Sequence, residues 1–144
     1  MEGYTPVYFL NAVRTSLPSG PVLTILLTDR KRVFAIPISE SEMMILQMVL
    51  ESKANPLTLP RILCQVVDSL GGNIEAVLIH DLRGEDYGVK MALREGIQGE
   101  VKEVEVRPAD AIAISHITGA PIYAANDILE KVSVDASKIK KGGE

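Results

Sequence analysis

The sequence contains a single cysteine, Cys64, so no disulfide can form within the chain. Domains that fold without disulfides suit a reducing compartment, and we therefore expect a cytoplasmic protein. Cys64 lies in an apolar periodic segment, which favours a small buried side chain over a nucleophile. No apolar run approaches the roughly 18 residues of a membrane-spanning helix, and the first residues lack the basic stretch of a signal peptide. We expect no membrane association.

Several well-known catalytic motifs are also missing. The sequence has no phosphate-binding loop, no His-Glu-x-x-His zinc motif and no nucleophile turn of the Gly-x-Ser-x-Gly type. Positive charge is not in excess, because 15 Lys and Arg against 19 Asp and Glu give a formal net charge of −4. Phosphate contacts usually come with a basic face, so binding of nucleic acid would require a local basic patch.

The composition is that of one folded domain with apolar surface to spare. A chain of 144 residues is expected to form one domain and to bury about 70% of its unfolded surface without the help of a metal. Hydrophobic residues make up 47% of the chain and charged residues only 24%. Self-association would cover leftover apolar surface, so we predict a homo-oligomer. The domain is predicted over residues 1–134, with a polar tail over 135–144.

Hydrophobic periodicity predicts an α+β domain with hairpins, a mixed or antiparallel sheet and about four helices. Ser39 and Glu42 form a capping box at the first helix, Pro108 and Gly119 bound the third, and Asn126 is expected to cap the fourth. The predicted helices cover 39–51, 58–70, 108–118 and 127–132. The predicted strands cover 4–15, 22–28, 33–38, 73–80, 87–94, 99–107 and 122–125, with loops at 16–21 and 81–86.

The best supply of catalytic groups lies where the sixth predicted strand meets the third helix. Strand alternation places Glu103, Glu105 and Arg107 on one face, while the other face, with Val104, is expected to be buried. Asp110 follows in the first helical turn, where a carboxylate faces free N–H groups. Carboxylates of this kind can hold a divalent metal, Mg²⁺ or Mn²⁺, while an arginine contacts a phosphate.

Two interpretations of this cluster remain open. One is chemistry on a phosphate ester, in which charge builds on a pentavalent phosphorus, and Arg107, Asp110 and Glu105 would then be the catalytic residues. The same hypothesis makes Asp110, Glu103 and Glu105 the metal ligands. The plainer alternative is an ion pair between Arg107 and Asp110 that fixes the corner between strand and helix, with both glutamates solvated.

The two histidines give weaker candidates. His80 stands beside Asp81 at a predicted strand end and could act as a general base oriented by that carboxylate, although an ordinary turn residue is the favoured interpretation. His116 lies about 120° from Asp110 around the third helix, so the two do not share a face. A packed, hydrogen-bonded histidine is the predicted role of His116.

One basic cluster lies inside the domain, at the predicted turn between the second and third strands. Arg30, Lys31 and Arg32 are consecutive there and are the predicted contacts to a nucleic-acid backbone. The alternative is an exposed charged hairpin tip that prevents pairing with other sheet edges.

The third helix and its flanks also carry a family resemblance. Residues 107–114 (Arg-Pro-Ala-Asp-Ala-Ile-Ala-Ile) and 121–123 (Pro-Ile-Tyr) resemble the signature of the bifunctional nuclease family. The resemblance extends over about residues 5–130 and includes residues 36–38 (Ile-Pro-Ile), Glu42 and the apolar hairpin at 74–93. It implies metal-assisted hydrolysis of DNA or RNA phosphodiesters, since plant members of the family are described as acting on both.

The chain departs from the family pattern at two places. The usual motif reads Arg-Pro-Ser-Asp-Ala, and Ala109 replaces the serine here. Many relatives have a His-Asp pair after a Pro-Leu-Thr segment, whereas Leu59 and Pro60 follow Thr58 in this chain. The missing pair and the acidic balance favour a second hypothesis, a non-catalytic oligomeric binding or regulatory protein on the same fold.

Overall fold

One mixed sheet, backed by helices, organises the part of the chain that the computed structural model describes, residues 2–51 and 57–135. Its strands are β1 (Tyr4–Leu17), β2 (Gly20–Thr28), β3 (Arg32–Pro37), β4 (Gly72–Arg83), β5 (Asp86–Glu95), β6 (Val101–Val106), β7 (Ile122–Ala125) and β8 (Val134–Asp135). The helices are α1 (Glu40–Glu51), α2 (Leu59–Ser69), α3 (Pro108–Thr118) and α4 (Asn126–Val132). The predicted α+β class, with hairpins and four helices, is confirmed.

The strand order across the sheet is β6-β5-β4-β7-β1-β2-β3-β8. Neighbouring strands are antiparallel except for β4 and β7, which are parallel because α3 carries the chain back before β7 begins. Residues 76–79 of β4 are buried on both faces, as expected of a central strand.

The main core lies between the sheet and the helices α1 and α3. Leu27 and Ile36 of the sheet pack in one cluster with Leu46 of α1 and Ala113 of α3. α3 is apolar nearly all round, and five of its side chains are buried. Each fully buried Leu or Ile contributes about 1.5–3 kcal/mol relative to an exposed one, so the position of α3 is strongly fixed.

Both hairpins with predicted long loops have tighter turns than the sequence suggested. Leu17 pairs with Gly20, so β1 and β2 continue through most of the loop predicted at 16–21. Arg83 pairs with Asp86, which leaves only residues 84–85 for the turn predicted at 81–86. Gly84 has a φ of 65°, a conformation that side chains disfavour and that allows this short turn. Strand pairing therefore extends into both segments, although their composition favours turns.

Strand β6 does not have the buried face predicted for it. Val104 is 44% exposed and only Val106 is half-buried, because β6 forms one edge of the sheet and no helix covers most of its length. Charged residues along an exposed edge discourage pairing with other chains.

The end of the domain also differs from the prediction. Asn126 is the first residue of α4 rather than its cap, and its Oδ1 accepts a hydrogen bond from the Thr5 hydroxyl at 2.5 Å. Asp135, predicted to begin the polar tail, pairs with Arg32 as part of β8. The rest of that tail and residues 52–56, between α1 and α2, lie outside the described residues. Among the described helices, none combines the length and the apolar character needed to cross a membrane.

Candidate active site

The candidate site begins at the corner where β6 ends and α3 starts. Arg107 occupies the N-cap position in an extended conformation, with φ −71° and ψ 149°, and Pro108 follows at the start of the helix. Proline suits this position because its φ is already helical and the missing N–H would have had no helical partner. The carbonyl of Arg107 accepts the first helical hydrogen bond, from the N–H of Ala111 at 3.0 Å. The corner is thus fixed by local sequence.

Arg107 and Asp110 form an ion pair across this corner. The Arg107 Nε donates to Asp110 Oδ2 at 2.7 Å, and Nη2 donates to Oδ1 at 3.3 Å. The hydrogen bond that Arg107 donates to Asp110 raises the pKa of Arg107, with the charges of Asp110 and then Glu42 adding to the effect. About half of the arginine side chain, 51%, is exposed, while Asp110 is 22% exposed. This geometry is that of the alternative in which an ion pair between Arg107 and Asp110 fixes the corner between strand and helix. Part of the arginine side chain is still open to a ligand.

The two glutamates of β6 have separate environments. Glu103 accepts a hydrogen bond from the Lys90 ammonium at 2.9 Å, and this bond is the main reason why the pKa of Lys90 is raised. Glu105 forms no ion pair within the described residues, although its charge also contributes to that pKa shift. Alternation along β6 places Glu105 next to Arg107 on the same face. We call Glu105, Arg107 and Asp110 the charged corner.

The described residues do not assemble the predicted metal site. No group of three or more His, Cys, Asp or Glu side chains within residues 2–51 and 57–135 is placed to hold a metal ion. Asp110 is already bonded to Arg107 through both oxygens, and Glu103 is bonded to Lys90. The donor set therefore does not fit a carboxylate-held Mg²⁺ or Mn²⁺, and the metal at Asp110, Glu103 and Glu105 stays a prediction.

A cavity of about 730 Å³ lies beside the charged corner, and we call it the α2 cavity. It is bounded by α2, by the end of β6 and by the start of α3. All three members of the charged corner line it, whereas Glu103 does not. Its other lining residues are mostly apolar: Leu59, Pro60, Ile62, Leu63, Val66, Tyr87, Val106, Pro108 and Ile114.

Two residues near the charged corner were not identified from the sequence as site residues. Tyr87 lines the α2 cavity, and burial raises the pKa of its hydroxyl. Glu42 was recognised as part of a capping box and of the family pattern, and its Oε1 accepts from the Ser39 N–H at 3.2 Å. Its Oε2 is buried without a hydrogen-bond partner in the described residues, and its charge acts on Arg107. Neither role has a local signal, because each residue reaches the site through tertiary packing.

The histidines do not take part in the charged corner. His80 lies at a bulge inside β4, not at a strand end, and its ring packs over Gly88 with a buried Nε2 that has no partner in the described part. Asp81 does not orient it, because that carboxylate bonds to the Leu82 N–H and to Arg83. His116 lines a different cavity, beside β1 and β7.

Cys64 is a free, buried thiol, and burial raises its pKa. A raised pKa lowers the fraction of thiolate, which is the nucleophilic form. The predicted role of Cys64 as a small buried side chain agrees with this environment.

The basic turn, Arg30, Lys31 and Arg32, is largely occupied by contacts within the chain. The Arg30 guanidinium lies 4.4 Å from the centre of the Tyr8 ring, in a cation–π contact. Arg32 donates to Asp29 Oδ2 through Nε and Nη2. The turn and the start of α1 lie at opposite ends of β3, a six-residue strand of about 20 Å. None of the three residues of the basic turn lines the α2 cavity, and nucleic-acid contact at this turn stays a prediction.

The fold and the site define the protein as an α+β domain with a charged corner at the edge of an apolar cavity. The model of the bifunctional nuclease domain matches residues 24–137, and the chain belongs to this family. The match contains every residue that lines the α2 cavity and begins after β1. Among curated proteins, none matches the sequence.

Proposed function

We propose that the protein hydrolyses phosphodiester bonds of DNA or RNA at the charged corner. The family suggests a nuclease-like function. The observation that carries the proposal is that Glu105, Arg107 and Asp110, three groups suited to phosphate chemistry, line a single cavity of substrate size.

Each member of the charged corner has a role in this proposal. Arg107 contacts the phosphate through its exposed guanidinium surface and offsets the charge that builds on phosphorus in the transition state. Asp110 holds the guanidinium in place through its two bonds. Glu105, which has no ion pair in the described part of the chain, accepts a proton from the attacking water. The water oxygen bonds to phosphorus as the P–O bond to the leaving nucleotide breaks, and the leaving oxygen takes a proton from solvent. The predicted Mg²⁺ or Mn²⁺ has no role in this proposal, because Asp110 is bonded to Arg107 and Glu103 to Lys90.

A second candidate function is a non-catalytic binding or regulatory module on the same fold. Leu59 and Pro60 line the α2 cavity, at the positions where the family resemblance leads us to expect a His-Asp pair. Arg107 is the one basic residue among the described residues that line the cavity, and Asp110 already engages it. These observations favour binding without hydrolysis.

The deciding experiment compares hydrolysis by matched glutamate variants, with and without a chelator. Glu105→Gln should lower the rate by roughly 10²–10⁴-fold if Glu105 is the general base. Glu103→Gln is the control, because Glu103 lies on the same strand but outside the α2 cavity. A wild-type protein that cleaves neither DNA nor RNA, with or without Mg²⁺ or Mn²⁺, would leave the binding module as the function.

The same proposal includes a cytoplasmic homo-oligomer. A free, buried cysteine suits a reducing compartment. Several large apolar side chains are exposed in the described residues, and association would cover them.

A further inference from the structure

The α2 cavity has two ends of different chemistry. One end is the charged corner, where Arg107 supplies a half-exposed side chain that ends in a guanidinium. The rest is mostly apolar and is lined by Leu59, Ile62 and Val66 of α2 and by Tyr87 of β5. A ligand that fills the cavity therefore needs an apolar body joined to a group that an arginine binds.

The apolar wall on α2 is exposed to solvent. Leu59 is 70% exposed, Val66 49% and Ile62 37%, and their spacing of three and four residues places them on one helix face. A large exposed apolar patch that is rimmed by polar residues is a common feature of binding surfaces. The α2 wall has the properties of a surface that a ligand covers.

We propose that the α2 cavity holds one unpaired base of a single-stranded nucleic acid, with the adjoining phosphate at Arg107. A nucleotide joins a flat, largely apolar base to an anionic phosphate, which matches the two ends of the cavity. The volume of about 730 Å³ lies within the range of small-ligand sites. This inference deepens the proposed nuclease function, and it rests on that function for the use of the charged corner.

Single-stranded substrates are favoured because the cavity must receive the face of a base. In a duplex the bases are stacked and paired, and extracting one costs unstacking and unpairing energy. In a single strand the bases can splay apart and stack on apolar or aromatic side chains. The wall on α2, together with Tyr87, offers such a surface next to the phosphate contact.

The first test measures binding of adenosine 5′-monophosphate and of ribose 5-phosphate to the full chain by calorimetry. The two probes share the phosphate and the sugar and differ by the base. Adenosine 5′-monophosphate should bind roughly ten- to a hundredfold more tightly, the usual effect of stacking one base. Equal affinities would overturn the proposal.

Matched variants locate the binding of the base. Ile62→Gln and Val66→Gln should lower the affinity for adenosine 5′-monophosphate towards the affinity for ribose 5-phosphate. Leu70→Gln is the control, since Leu70 follows α2, is 75% exposed and does not line the α2 cavity. If the two cavity variants instead dissociate an oligomer in light scattering and leave nucleotide binding unchanged, the wall is a self-association surface and the proposal fails.

The second test measures hydrolysis of one oligonucleotide as a single strand and as a duplex with its complement. The single strand should be cleaved about tenfold faster or more, because no base has to be extracted from a stack. Equal rates would overturn this inference and leave the nuclease function standing. Base-dependent binding without hydrolysis of either form would support the inference and remove the nuclease function.

Discussion

At the scale of single residues, Arg107 connects most of the features of the site. Its backbone position at the start of α3 is set by β6 and Pro108, and its side chain is held by Asp110. Glu42 adds a second negative charge from α1. A guanidinium bonded to one carboxylate and influenced by the charge of a second is well fixed but partly neutralised. The site can orient a phosphate, and its affinity for an anion then depends on contacts elsewhere in the α2 cavity.

Asp110→Asn separates architecture from chemistry at the charged corner. The substitution removes a carboxylate from the first turn of α3 and breaks the ion pair with Arg107. We expect a loss of about 0.3–1 kcal/mol in unfolding free energy from the helix-dipole effect, and a similar or smaller loss from the exposed pair. If Asp110 also acts in hydrolysis, the folded variant should lose activity by orders of magnitude. Urea denaturation and hydrolysis are measured on the same sample.

Asp127→Asn is the matched control for Asp110→Asn. Asp127 also lies in the first turn of a helix, α4, and it has no ion pair among the described contacts. Both variants should lose the dipole contribution, while only Asp110→Asn should change activity. Full hydrolysis by a folded Asp110→Asn variant would remove Asp110 from the catalytic residues and leave it a purely structural role.

At the scale of elements, the turn between β2 and β3 shows how a charged segment is stabilised. Burial alone would raise the pKa of Asp29, but hydrogen bonds from the backbone N–H groups of Arg32 and Lys31 and from the Arg32 side chain outweigh it, so the pKa is lowered. The backbone bonds to Asp29 Oδ1 are 2.7 Å from Arg32 and 3.0 Å from Lys31. Arg30 reaches the positive φ of 84° that this turn requires.

The lowered pKa of Asp29 predicts a specific loss of stability in acid. A carboxyl whose folded pKa lies below its unfolded value, about 3.9, stabilises the fold above that pH, and the contribution disappears as pH falls through the folded pKa. Asp29→Asn should cost about 1–3 kcal/mol near pH 7, because an amide cannot accept all the bonds that the carboxylate accepts. The difference from wild type should shrink below about pH 4. A difference that stays constant from pH 7 to pH 2 would contradict this account.

The elements were largely predictable, whereas their assembly into a site was not. Alternation along β6 and the order of Pro108, Asp110 and Gly119 predict the β6–α3 corner from residues that are neighbours in sequence. The α2 cavity depends on α2 packing beside α3 and on Tyr87, which belongs to β5. Contacts between distant segments leave no local pattern, so the sequence predicted the charged half of the site and missed its apolar half.

The predicted burial of β6 failed for a related reason. A period of two predicts that one face is covered but does not say what covers it. Val104 has the right spacing, yet β6 is the sheet edge and the helices cover other strands. Strand order is a property of the whole sheet, and a strand's own residues do not encode it.

At the scale of the whole molecule, the distribution of charge separates two candidate surfaces. The basic turn and the charged corner are on different parts of the sheet, and the corner itself carries two acidic residues and one basic residue. The overall charge of −4 provides no general attraction for nucleic acid. Recognition of a substrate would therefore depend on shape and apolar contact in the α2 cavity more than on long-range attraction.

The exposed methionines of α1 predict self-association. Met44 is 59% exposed and Met48 46%, and a spacing of four residues places them side by side on the helix. Each fully buried methionine contributes about 1.5–3 kcal/mol to the free energy of association. A symmetric dimer would bury Met44 and Met48 of both subunits. Light scattering at micromolar concentration should therefore give at least the mass of a dimer.

Substitution of these methionines tests which surface holds the assembly together. Met44→Gln combined with Met48→Gln should shift the mass towards the monomer, because glutamine keeps the helix but removes the apolar contact. Leu10→Gln on β1 is the control, as Leu10 is 52% exposed and belongs to another face. A wild-type protein that is strictly monomeric would remove the prediction. An oligomer that survives the double substitution would place the interface elsewhere, and Ile62→Gln would then show whether α2 takes part.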